Sequence, residues 1–210
     1  MVRWPMLALL ALTGCFFGGG DDAPTGDTAP AEPTLGLPDG VFLVEMETTT
    51  GPVTLEIHED WAPNGAARFR ALVEAGYYDD AKFFRVLPEF VVQWGIAADP
   101  AVTAQWLDTI QDDPVVESNT RRTITFAQTN QPNSRTTQVF VNYEDNTNLD
   151  GQGFAPFGRV IDGMPNLRAL NAEYGETPSM NQGTIRDQGN AYLDANFPNL
   201  DGIISAVIRE

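Results

Sequence analysis

From Phe42 to Glu47 and again from Val53 to His58 apolar and polar residues alternate, and Thr50-Gly51-Pro52 separates the two runs. A period of two sends successive side chains to opposite faces of an extended backbone, so the pattern predicts a hairpin with one face buried and one in water. Short runs of strand character recur at Phe83–Val86, Phe90–Trp94, Thr123–Ala127, Gln138–Asn142, Gly158–Ile161 and Ile203–Ile208. Helical spacing is rarer. Pro63 suits a first helical turn, Ala66, Phe69, Leu72 and Val73 then recur on one face, and Gly76 supplies a stop. Leu167–Tyr174, with Pro165 near its start and Gly175 at its close, predicts a second helix, and Asn190–Phe197 a short one before Pro198. Many short strands with few helices point to an antiparallel barrel or a sandwich, and periodicity does not choose between them.

Charge and rare residues narrow the chemistry. Asp and Glu number 29 against 12 Lys and Arg, a formal charge of -17, so a phosphate backbone or an anionic lipid surface repels the chain and nucleic-acid binding is not expected. The single cysteine, Cys15, rules out an internal disulfide and a cysteine metal cluster. The single histidine, His58, leaves no second imidazole for a usual zinc ligand set and reads as a solvated surface residue beside Glu56 and Glu59.

At the amino terminus, Arg3 precedes the short apolar run Met6–Leu12 and then Thr13, Gly14 and Cys15. A positive start, an apolar run too short to span a bilayer and small residues before a cleavage point describe an export signal over residues 1–14. Leu12-Thr13-Gly14-Cys15 also resembles a bacterial lipobox, which implies that Cys15 is lipidated and becomes the new amino terminus; the alternative is an ordinary signal peptide with an incidental cysteine. Phe16 in place of Asp resembles lipoproteins passed to the outer membrane. Residues 15–39 are poor in large apolar side chains and rich in Gly, Pro, Asp and Thr, and read as a disordered tether before a folded domain over 40–210. No internal repeat or membrane-spanning segment is expected within that domain.

Three segments carry a family resemblance: FFRVLPEFVVQWG over Phe83–Gly95, TTQVF over Thr136–Phe140, and LDGQGFAPFG over Leu149–Gly158. In this order they resemble the cyclophilin family of peptidyl-prolyl cis/trans isomerases, with a likeness covering roughly Val41–Leu170. The resemblance implies a mainly β fold, a closed eight-stranded antiparallel barrel capped by helices, and it implies no cofactor and no metal. Against a minimal member of the family, Ala97–Glu117 and Ala172–Asp201 are longer.

The resemblance also implies roles. Arg85 stands at the catalytic position; Phe90, Val91, Phe140 and Leu149 form the walls of a proline slot; Gln93 contacts the substrate backbone; Phe157 lies in the barrel wall near that slot; and Asn148 stands on the substrate-binding rim. Each residue has a plainer reading when taken alone. An arginine among apolar residues pairs with one of many carboxylates, a strand glutamine faces solvent, and Phe90 and Phe140 are core. The rim departs from the family pattern: Phe84 replaces His, Val91 Met, Val139 Phe, and Trp94-Gly95-Ile96 stands for Gly-Gly-Asp. Asn148 falls where cyclosporin-sensitive members often carry Trp, and Gly153 or Phe154 replaces a pocket histidine. The expected protein is a monomeric isomerase acting on proline-containing polypeptides in the bacterial envelope, touching the membrane only through its lipid anchor, at the outer membrane and facing the periplasm or the cell surface. The rival expectations are a proline-segment binding module without useful turnover and an envelope scaffold whose longer segments bind partners.

Overall fold

A computed structural model describes residues 36–209. Cys15 and the export signal lie outside the described residues, as does most of the expected tether. Strands β1 (Val41–Thr48) and β2 (Gly51–His58) form the predicted hairpin, in register from Val41 opposite His58 to Thr48 opposite Gly51. Helix α1 (Pro63–Glu74) starts on Pro63 and buries Ala66, Phe69, Leu72 and Val73, the apolar face read from the sequence. Strands β3 (Arg85–Val86) and β4 (Val91–Trp94), helix α2 (Pro100–Thr103), strands β5 (Thr123–Phe126), β6 (Val139–Asn142) and β7 (Pro156–Asp162), and helix α3 (Met164–Arg168) follow. Helices α4 (Gln182–Gln188) and α5 (Asn190–Asn196) then lead to strand β8 (Ile203–Arg209).

All eight strands join one antiparallel sheet in the order β3-β4-β6-β5-β7-β2-β1-β8. Its concave side holds the core, where Phe69 of α1 meets Phe157 at 5.1 Å and Tyr78 at 5.4 Å between ring centroids. Each such fully buried apolar side chain contributes roughly 1.5–3 kcal/mol. The closed barrel is not realised as a strand ladder: the sheet curls but β3 and β8 are its two ends. β3 has only two residues, and the seam is bridged just before either strand, where Lys82 faces Gly202 and Ile203 N–H donates to the Ala81 carbonyl at 2.8 Å. Phe83 and Phe84, expected in the strand, are instead buried beside it.

Helix α3 also differs, ending at Arg168 rather than Tyr174. Asn171 N–H is taken by the Asp201 carboxylate at 2.7 Å, which turns the chain toward β8. The two long segments are built into the fold. Asn190 N–H donates to Ala98 O at 3.0 Å, and a Cβ on Gly189 would lie 2.1 Å from that oxygen, so only glycine permits the approach. Ile96, Ile185, Leu193 and Leu200 close over Phe84 as a separate small core. No helix among the described residues is long and apolar enough to cross a membrane.

Candidate active site

Strands β4, β5 and β6 are buried at every position, and alternation sorts their side chains into two sets. Val92, Trp94, Ile124, Phe126, Val139 and Val141 enter the main core, whereas Val91 and Phe140 belong to a separate apolar cluster on the other face. Strand pairing places Arg85 opposite Gln93, and Gln93 opposite Phe140. The convex face of the sheet would be a solvated surface but for residues 147–154, which fold over it and add Leu149 and Phe154. Between them lies a pocket of about 250 Å³ lined by Arg85, Phe90, Val91, Gln93, Phe140 and Leu149, with Ala127, Gln128, Phe154 and Gln182 completing its wall.

The covering turn, Thr147–Gln152, ends on Gly153 in the left-handed region and is tied down by Asp150. The Asp150 carboxylate accepts from the Ser118 hydroxyl and, at 2.8 Å each, from Asn119 N–H and Nδ2. Burial pushes this carboxyl up, but those three donors outweigh it and hold it below the usual carboxylate range. Leu149 is therefore held over the pocket by a group that stays ionised through the neutral range.

Arg85 extends along the pocket rim with its guanidinium carbon 5.5 Å from the Phe90 ring centroid. Its Nη1 donates to Gln93 Oε1 at 3.2 Å, Gln93 Nε2 donates to Gln138 Oε1 at 2.9 Å, and Gln138 Nε2 donates to Gln182 Oε1 at 3.0 Å. Both ends of the Gln93 amide are thus occupied inside the protein, so its first effect is to orient the guanidinium. On its other edge, Arg85 Nε donates to Glu176 Oε1 at 3.0 Å and Nη2 donates to the same oxygen. Arg85 is thus an ion-pair partner, as the plain reading has it, and also lines the pocket. One N–H on each terminal nitrogen is left for a ligand.

Six of the residues expected at the site line this pocket: Arg85, Phe90, Val91, Gln93, Phe140 and Leu149. Two do not. Asn148 is exposed on the outer side of the covering turn, where its carbonyl accepts from Gln152 Nε2 at 3.1 Å. Phe157 is fully buried in the main core, 5.1 Å from both Phe69 and Phe126. The register between β5 and β7 explains it: Ile124 faces Gly158 and Thr125 faces Pro156, so Phe157 is the extra residue of a bulge, and a bulge re-aims the side chain it carries. Glu176, Gln138 and Gln182 went unrecognised as site residues. Glu176 and Gln182 lie on the long segment before β8, where nothing local points to a pocket formed by β3, β4 and β6.

His58 is less free than a solvated surface residue, since it stacks on Trp61 at 4.1 Å and donates from Nε2 to Glu56 at 2.8 Å. It sits on β2, separated from β4 in the sheet by β6, β5 and β7. Among the described residues the pocket holds no group that ordinarily titrates near neutrality, so kcat/KM is expected to stay within about twofold between roughly pH 6 and 8.5, with His58→Ala active throughout. A bell-shaped profile in a peptide isomerisation assay over that window contradicts this expectation.

Known proteins resemble this chain in sequence and in fold. The family model described as cyclophilin type peptidyl-prolyl cis-trans isomerase/CLD matches residues 43–189. A peptidyl-prolyl cis-trans isomerase of Streptomyces antibioticus is 34% identical over 135 residues, covering 60% of this chain and 81% of the relative. Another from Acinetobacter baylyi is 34% identical over 129 residues, covering 58% and 68%. The crystal structure of a cyclophilin-type isomerase from Cryptosporidium parvum superposes with a TM-score of 0.61 at 21% identity, covering 81% of this chain and 98% of that one, which is likeness of fold. With the family model spanning most of the chain and the Arg85 pocket formed from its motifs, the chain belongs to the cyclophilin-type peptidyl-prolyl cis-trans isomerases, a family of enzymes.

Proposed function

We propose that this chain catalyses the cis/trans isomerisation of X-Pro bonds in exported polypeptides of a bacterial envelope, as a monomer tethered through a lipid on Cys15, at the outer membrane and facing the periplasm or the cell surface. The observation that carries the catalytic part is the Arg85 guanidinium at the mouth of an apolar pocket walled by Phe90, Val91, Phe140 and Leu149. Twisting an X-Pro amide breaks no σ bond but loses its resonance, a barrier of about 20 kcal/mol. The apolar walls grip the proline ring. As the bond twists, the nitrogen lone pair localises, and a donor already in place stabilises that charge better than it stabilises the planar amide. Arg85 is permanently charged and its free N–H groups supply that donor. No proton is transferred and no cofactor is required. The longer segment before β8 contributes Glu176 and Gln182 to this site.

Turnover of a short Ala-Pro peptide, followed by protease-coupled absorbance or by NMR exchange, tests the proposal. The rival, a module that holds proline segments without useful turnover, draws support from Glu176, whose carboxylate offsets the Arg85 charge. Binding of the peptide with no acceleration of exchange favours that module. For the tether, Leu12-Thr13-Gly14-Cys15 supports lipidation. Cys15→Ala is expected to abolish palmitate labelling and to release the protein from membranes. An unlabelled wild type ends the lipoprotein reading.

A further inference from the structure

Glu176 makes a contact that the isomerase chemistry does not call for. Its carboxylate accepts from two nitrogens of Arg85 through one oxygen, Oε1, and among the described residues nothing else pairs with that carboxylate. The side chain is 47% exposed, against 23% for Arg85, so it stands on the solvent side of the guanidinium. The backbone that carries it is anchored. Glu176 O accepts from Ser179 Oγ at 2.7 Å, and Thr177 N–H donates to Tyr174 O at 3.0 Å. Tyr174 in turn packs its ring 5.2 Å from that of Phe197. The carboxylate is therefore held beside the pocket, against Arg85, by a built segment, the same one that supplies Gln182 to the pocket wall.

From this placement we propose that Glu176 is a specificity-determining residue, selecting proline segments that carry a lysine or arginine next to the X-Pro bond over those that carry an acidic residue there. The inference rests on the isomerase reading of the pocket. Arg85 keeps two N–H groups for the substrate, so Glu176 need not leave for catalysis to proceed. With Oε2 and the outer lone pair of Oε1 open, the carboxylate is an acceptor for a substrate ammonium or guanidinium. An acidic flank meets like charge in the same place, and such juxtaposition acts against the wrong partner as effectively as attraction acts for the right one. The pair is partly exposed, so the discrimination is modest and sensitive to salt.

The test uses two peptides identical but for Lys or Glu beside the X-Pro bond, each measured for kcat/KM and for affinity by NMR titration. The proteins are the wild type, Glu176→Gln, Glu176→Asp, and Glu45→Gln, whose ion pair with Arg209 lies on the hairpin sheet away from the pocket. The overall charge of -17 favours the Lys peptide in every variant, so the readout is the change in the Lys-to-Glu ratio. Glu176→Gln is expected to cut that ratio about three- to tenfold at low salt, while Glu176→Asp retains part of it and Glu45→Gln leaves it intact. At about 1 M NaCl, where the Debye length is about 3 Å, the difference between wild type and Glu176→Gln should collapse. An unchanged ratio in Glu176→Gln overturns the proposal. An equal loss on both peptides also overturns it and makes Glu176 a positioning residue for Arg85. If the wild type binds both peptides but turns over neither, the isomerase reading fails, and the affinity ratio still decides the role of Glu176.

Discussion

Arg85→Ala is expected to lower kcat/KM on an Ala-Pro peptide by about 10²-fold or more, the scale seen when one preorganised donor is removed from a transition state. The reason is positional. Gln93 and Glu176 hold the guanidinium on two edges and Phe90 lies against its face, so on the proposed mechanism the donor is already in place when the amide twists. Folding should barely notice the loss. The Arg85–Glu176 pair is partly exposed, and pairs of that kind contribute about 1 kcal/mol or less. Activity by NMR exchange and stability by urea unfolding, measured on one sample, separate the two effects. Parallel loss of both would make Arg85 a structural ion pair and remove the catalytic assignment.

The second large effect lies away from the pocket. Arg135 and Asp113 form an ion pair at 3.0 Å with side-chain exposures of 2% and 1%. Asp113 also accepts from the first turn of α1, Asn64 N–H at 3.0 Å and Gly65 N–H at 2.9 Å, so one carboxylate joins the long segment after β4 to the helix and to the turn before β6. Asp113→Ala leaves a buried guanidinium and two helix-end donors without their acceptor, and is expected to destabilise the domain by about 3–5 kcal/mol. Asp112, 3.4 Å from Arg135 Nε, moderates the loss toward the lower figure. Against a typical total of about 5–15 kcal/mol this is a large fraction, visible as a fall in the urea midpoint at unchanged slope. Asp113→Asn keeps an acceptor for the helix and should recover part of the loss. A midpoint unmoved in Asp113→Ala would show that this buried pair does not hold the segment in place.

The site was legible wherever it is built from consecutive strand residues. Arg85 and Gln93 are eight positions apart, and the turn between β3 and β4 sets them directly opposite, which the motif carried intact. Val91 and Phe140 were harder to place from pattern alone, because their strands are buried on both faces and a continuous apolar run does not reveal which side is core. The fold over them by residues 147–154 is what makes a second apolar face, and its anchor is Asp150 reaching back to Ser118 and Asn119. Phe157, placed near the slot by the family resemblance, instead enters the main core, at a bulge that re-aims its side chain. Helix α3 was drawn too long because Asn171 is captured by Asp201, a partner 30 residues away.

Through a family resemblance the motifs supplied the grouping of Arg85, Gln93 and the apolar walls; by itself, the sequence determined the hairpin of β1 and β2, the buried face of α1 and the dominance of short strands. These follow from where consecutive side chains must point once a backbone is extended or helical. Only the tertiary structure decided that the strand ladder stays open between β3 and β8, that the longer segment before β8 packs a small core onto Phe84 and Ile96, and that Glu176 closes on Arg85 from 91 positions away. Those outcomes depend on which distant segments can meet without leaving buried polar groups or charges unpaired, a balance summed over the folded molecule that no local period encodes.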